Sequence, residues 1–93
     1  MISIRDMMTC APLRISIRGA EIELSRPSAL DLLEALEVSK VNPERLYAWF
    51  VFRHLHQDGT RVFASVDEVL ASSASLVIEI GREVERLYEE GRD

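Results

Sequence analysis

The sequence predicts an α+β domain in which an N-terminal β-hairpin packs on a small bundle of three or four helices. Three stretches carry that prediction. Leu13–Ser25 alternates apolar and polar residues around a glycine, the period-two pattern of a half-buried strand pair. Near the other end, Val77, Ile80, Val84 and Leu87 recur at spacings of three and four, the period of an amphipathic helix. Between them Leu46 to Phe52 runs apolar without a break and holds the only Trp and two of the three Phe. Its side chains point all round a helix, so neighbours must cover it on most sides. Those neighbours are the rest of this chain, a second copy or a different protein.

The chain has 93 residues and is read as one domain over 1–93: an arm (1–12), a hairpin (13–25) and a helical part (27–90). A domain of this size buries roughly 60–70% of the surface its unfolded chain exposes, which leaves a thin margin of stability. In the arm, Ile2 and Ile4 alternate with polar residues as in a short edge strand, Met7-Met8-Thr9 has no period, and Pro12 interrupts. A loosely held arm is expected. Cys10 is the only cysteine, which excludes an internal disulfide and a cysteine-built zinc site; a partly buried structural thiol is expected.

In the hairpin, Leu13, Ile15 and Ile17 alternate with Arg14, Ser16 and Arg18, and Ile22 and Leu24 alternate with Glu21 and Glu23. Gly19-Ala20 as a II′ turn sets Arg18 opposite Glu21, Ile17 opposite Ile22, Ser16 opposite Glu23 and Ile15 opposite Leu24. A first helix spans Pro27–Val38, started by Pro27 in its first turn or by Ser28 and Asp31 as a cap. Its inward stripe is Leu32, Leu33 and Leu36 with Ala29; Asp31, Glu34 and Glu37 face water. Asn42 caps the central helix, Pro43 opens it, and it runs to about Gln57. Asp58-Gly59 makes a tight turn, and Thr60–Phe63 is extended. Ser65 and Glu68 form a capping box for a short helix to about Ala71. After Ser72–Ser75 the last helix runs to about Glu90, with Leu76 and Tyr88 widening its stripe. Glu79 pairs with Arg82 and Glu83 with Arg86 on its wet face, and Gly91 ends it.

Composition narrows the function classes. Hydrophobic residues make up 47% and charged residues 29%, as in ordinary globular proteins. The longest apolar run is far short of the ~20 residues of a membrane span, and the N-terminus lacks the layout of a secretion signal. No membrane partner and a cytoplasmic location are expected. The net charge is −5, from 16 acidic and 11 basic residues, and it repels phosphate backbones, so no nucleic-acid partner is expected. No enzyme constellation is visible. His54 and His56 are two residues apart and diverge on a helix, unlike a metal-binding pair at a spacing of four. The serines at 72, 73 and 75 lack a nucleophile-elbow frame, and Glu89-Glu90 reads as solvated charge. No catalytic residue, metal or cofactor is expected.

The second half resembles the small tail assembly chaperones of long-tailed bacteriophages. The resemblance rests on the aromatic run Leu46–Phe52, the turn Asp58–Phe63, the acidic short helix Val66–Leu70, a small-residue break and the amphipathic helix Leu76–Tyr88. It covers about Pro43 to Glu90, roughly half the chain. Leu13–Leu36 also looks like the strand pair and helix that many such proteins carry, although known members are largely helical. The resemblance implies a non-enzymatic role in the bacterial host cytoplasm. Such chaperones coat the tape measure protein, recruit tail tube subunits, and are absent from the finished virion. Many exist in two lengths through a programmed frameshift, and this chain would be the short product. The expected contact face includes Tyr47, Trp49, Phe52, Val77, Ile80, Val84 and Leu87. A homo-oligomer is also open. The competing readings are a small acidic regulatory or antitoxin-like interaction module, a DNA-binding regulator, and a small enzyme pairing His54 or His56 with Asp67 or Glu68.

Overall fold

The computed structural model describes residues 3–5 and 11–90. It is an α+β fold: an antiparallel four-stranded sheet assembled from two hairpins, with helices between and after them. Ile4 and Arg5 are helical, against the strand expected at Ile4, and Ile4 is exposed. Cys10 and the rest of that segment lie outside the described residues.

Strands β1 (Leu13–Ile17) and β2 (Ala20–Leu24) form the expected hairpin in a different register: Leu13 faces Leu24, Ile15 faces Ile22 and Ile17 faces Ala20. The turn is Arg18-Gly19, with φ of 51° and 85°, the two positive values a type I′ turn requires. Moving the turn by one residue moves the pairing by two, so every side chain keeps its face and the hydrophobic pattern cannot tell the two registers apart. Docking distinguishes them. From the observed turn, Arg18 Nε lies 3.2 Å from Glu79 Oε2 on the last helix, and its guanidinium donates to Ser75 Oγ at 3.3 Å.

Helix α1 (Ala29–Val41) starts at a full capping box: Ser28 Oγ accepts from the Asp31 N–H, and Asp31 Oδ2 accepts from the Ser28 N–H. It runs three residues past the expected end, and it is rotated from the expected face. Asp31 and Ala35 are buried and Leu32 and Val38 half-buried, whereas Ala29, Leu33 and Leu36 are exposed. The leucines surround this helix, so their pattern names no single inward face. The polar contacts do: the capping box holds Asp31, and Arg53 Nε reaches its Oδ1 at 2.6 Å from the next helix. Burial pushes the Asp31 carboxyl up, but hydrogen bonds from the Ser28 N–H and Arg53 outweigh it and hold it below the usual range.

A 3-10 turn over Pro43–Arg45 leads into α2 (Leu46–His54). Asn42 contributes its carbonyl, which accepts from the Arg45 N–H, and no side-chain cap. Helix α2 stops three residues short of the expected end because Leu55–Gln57 forms strand β3. There Leu55 pairs with Leu24 and His56 with Glu23, and β3 turns through Asp58-Gly59 into β4 (Thr60–Arg61). Asp58 and Gly59 both have positive φ, 52° and 76°, so this is a second hairpin turn of the same type, here Asp-Gly. Only Thr60 and Arg61 of the expected extended segment are strand. The sheet order is β1-β2-β3-β4.

Helix α3 (Val66–Leu70) is capped by Ser65, whose Oγ accepts from the Glu68 N–H. The Glu68 carboxylate accepts from the Ala64 N–H at 2.8 Å rather than from Ser65, so the box is only half made. Helix α4 (Ala74–Glu90) keeps the Glu83–Arg86 pair at 3.2 Å, while Glu79 pairs with Arg18 and not with Arg82. Gly91 lies outside the described residues. The core joins sheet and helices through Ile22, Leu24, Phe50, Val51, Leu55, Val69, Ile80, Val84, Leu87 and Tyr88. Helices α2 and α4 pack closely because Gly81 has no side chain: a Cβ there would lie 2.8 Å from Tyr47 Cγ.

Candidate protein-interaction surface

All nine residues of α2 are buried or half-buried, so the chain itself covers its aromatic helix on every side. Phe50 stacks on Tyr88 at 4.8 Å and Trp49 lies tilted against Phe50 at 5.9 Å. Of the expected contact residues, Trp49, Ile80, Val84 and Leu87 are buried in the core, none of them more than 9% exposed. Tyr47, Phe52 and Val77 are half-buried. Phe52 is partly roofed by the Arg61 guanidinium, 4.8 Å from its ring centre. The structure thus separates the seven residues, and only Tyr47 and Val77 line one groove together.

That groove lies between α2, α3 and α4 and has a volume of about 480 Å³. Leu46, Tyr47, Val69, Leu70, Val77 and Ile78 give it an apolar lining, with Leu70 46% and Ile78 43% exposed. The charged groups lining it are Glu44 and Glu85. Tyr47 Oη donates to Glu85 Oε1 at 3.1 Å, which anchors that carboxylate at the groove wall. Burial, then the hydrogen bond to Glu85 and its charge, push the Tyr47 hydroxyl above its ordinary pKa, with nearby Arg82 offsetting part of the effect. Beyond the Leu46–Glu85 ridge lies a smaller groove of about 140 Å³, between α1 and α4, with Glu89 on its rim.

Leu70 and Ile78 did not figure in the sequence-derived face, yet a signal existed. Each is the second member of an adjacent apolar pair, Val69-Leu70 and Val77-Ile78. Neighbouring residues point about 100° apart on a helix, so a helix packed on one side can bury one of a pair and leave the other outside. A second exposed apolar surface is the outer side of α1, where Leu30, Leu33 and Val41 are 58%, 65% and 64% exposed. It carries charges of both signs, Glu34, Glu37 and Lys40.

His54 is fully buried and its ring is used internally. Nδ1 lies 2.8 Å from the Ser25 carbonyl oxygen, which can only accept, so Nδ1 carries the proton. Ser25 Oγ, 2.9 Å away, is then also an acceptor. Nε2 accepts from the Tyr88 hydroxyl at 2.6 Å. The Ser25–His54 contact has the look of a nucleophile and its base, but a protonated Nδ1 cannot take the serine proton. Burial lowers the His54 pKa and raises that of Tyr88, so both stay neutral and tie β2 to α2 and α4. His56 Nδ1 contacts the His54 carbonyl at 3.0 Å. Asp67 pairs with Arg45 at 3.8 Å and Glu68 serves the α3 terminus, so no contact joins either acid to a histidine.

Among the described residues, no group of three or more His, Cys, Asp or Glu is placed to hold a metal ion. Nor is any helix among them long and apolar enough to cross a membrane. Comparison of the chain with models of known protein families, with characterised proteins and with solved structures returns no match.

Proposed function

We propose that the chain is a non-enzymatic protein-binding module of the phage tail assembly chaperone kind. In this reading it holds the tape measure protein and recruits tail tube subunits in the cytoplasm of the bacterial host, and it is left out of the finished virion. The observation that carries the binding role is the open apolar groove between α2, α3 and α4, with Leu70 and Ile78 standing nearly half exposed at its edge. Apolar grooves with polar rims are a recurrent form of protein-docking surface. The order of elements from Leu46 to Tyr88 supports the chaperone reading, since it is what the resemblance rests on.

The test is expression of the native gene region with a tag on this N-terminus, followed by intact-mass analysis of everything that co-purifies. The reading expects a longer minor product that diverges near the end of this chain, and a long helical partner whose recovery drops in Leu70→Ser and Ile78→Ser. A single 93-residue product bound to one compact basic partner would replace it with the acidic regulatory module.

A further inference from the structure

We infer that the groove between α2, α3 and α4 takes an amphipathic helix of a partner protein whose apolar stripe is flanked by Lys or Arg. This inference rests on the protein-binding reading above and adds the chemistry of the occupant. The groove lining has apolar side chains and two carboxylates, Glu44 and Glu85, with no Lys or Arg among the lining residues. Across the Leu46 ridge the smaller groove repeats the pattern, with Glu85 shared and Glu89 added. Arg82 lies near the Tyr47 hydroxyl, one cation beside the three carboxylates Glu44, Glu85 and Glu89.

Each part of the surface selects something different. Leu70 and Ile78 offer apolar area to any apolar side chain, so they supply affinity without regard to charge. Glu85 is held at the wall by the Tyr47 hydroxyl and Glu44 stands at the start of the 3-10 turn, so negative charge lies along the groove. A bound helix with acidic flanks would set like charges together, whereas a basic one places ammonium or guanidinium groups beside waiting carboxylates. The long stems of Lys and Arg also cover apolar surface on the way to the rim. The outer side of α1 lacks this selectivity, because Lys40 stands among its acids.

The experiment uses the full chain and two synthetic helical peptides with the same leucine stripe, one flanked by Lys and the other by Glu. Backbone amide shifts map each complex, and a titration gives each affinity at low and high salt. The Lys peptide is expected to shift Leu70, Val77, Ile78 and Glu85, and to bind about tenfold more tightly than its twin at low salt. The preference should shrink at high salt. It should largely vanish in the Glu44→Gln, Glu85→Gln double variant, which keeps an oxygen for the Tyr47 hydroxyl. Equal affinity for the two peptides would overturn the charge selection while leaving a protein-binding groove in place. Shifts confined to Leu30, Leu33 and Val41, or no binding of either peptide, would overturn the groove as the site. A dimer dissolved by Ile78→Ser would overturn it too, by making a second copy the occupant.

Discussion

Lowering the pH from 7.5 to 5.5 should destabilise the protein through one buried ring. His54 is fully buried, and its Nε2 is already filled by the Tyr88 hydroxyl. Burial pushes its pKa below the ordinary 6.5; Arg53 and His56 push the same way, while the Asp31 charge and the Ser25 carbonyl oppose them. The folded value therefore lies under the unfolded one, and below pH 6.5 the unfolded chain binds more protons than the native one. The stability from keeping His54 neutral is complete above pH 6.5 and is lost as pH falls toward the folded value. For a ring that stays neutral when folded, the slope approaches about 1.4 kcal/mol per pH unit, and the total loss at pH 5.5 is at most about 1.4 kcal/mol. Domains of this kind have roughly 5–15 kcal/mol in hand, so the effect is measurable. The assay is urea unfolding at half-unit pH steps, followed by circular dichroism because Trp49, 6.0 Å edge-on from the His54 ring, reports the ring's charge as well as unfolding. The His54→Gln variant, measured alongside, should lose most of the slope. An unchanged slope in that variant, or a flat wild-type profile, would refute the reasoning.

Four further outcomes follow from the packing. Gly81→Ala should lower the melting temperature: overpacking against Tyr47 costs about 1–3 kcal/mol and the helix-propensity gain returns only ~1. A raised melting temperature would show that Tyr47 yields freely. Asp31→Asn weakens the buried contact to Arg53 and should cost about 1–3 kcal/mol in urea unfolding, discounted for the partial exposure of Arg53. Leu33→Ser should change stability by no more than ~0.5 kcal/mol whereas Leu24→Ala should cost about 2–5; a large loss at Leu33 would mean that α1 turns the other way. Glu79→Gln removes an exposed partner of Arg18, and its cost in the same assay should stay below ~1 kcal/mol.

Much of the chain was legible in advance wherever a local pattern has one solution. The alternation at Leu13–Leu24 allows a strand pair and nothing else of that length, and the 3.6-residue spacing from Val77 to Leu87 allows one helix face. Ser28 with Asp31, and Ser65, start helices because a side-chain oxygen has N–H groups to satisfy there. The aromatic run was rightly placed at the centre of the helices, but its role could not be read. Whether Trp49 faces solvent or core depends on how many elements reach it, and periodicity around one helix says nothing of that.

The misplacements share a cause. Leu55–Gln57 continues an apolar helix in local terms, yet the Asp58-Gly59 turn and the open edge of β2 draw it into a ladder. Leu33 and Leu36 are as apolar as Leu32, so the choice among the faces of α1 fell to Asp31, which needs both its cap and Arg53. Leu70 and Ile78 sit in the right helices with the right chemistry, but which of two adjacent apolar residues is left outside depends on the direction from which α2 approaches.

Local chemistry alone thus determined the α+β class, the helix starts at Ser28 and Ser65, the Asp58-Gly59 turn and the acidic balance, because each depends on neighbours within a few positions. The hairpin register, the buried Asp31–Arg53 and His54–Tyr88 contacts, and the placing of an acidic apolar groove between α2, α3 and α4 were decided only by tertiary structure. They depend on groups far apart in the chain, whose meeting no local period encodes.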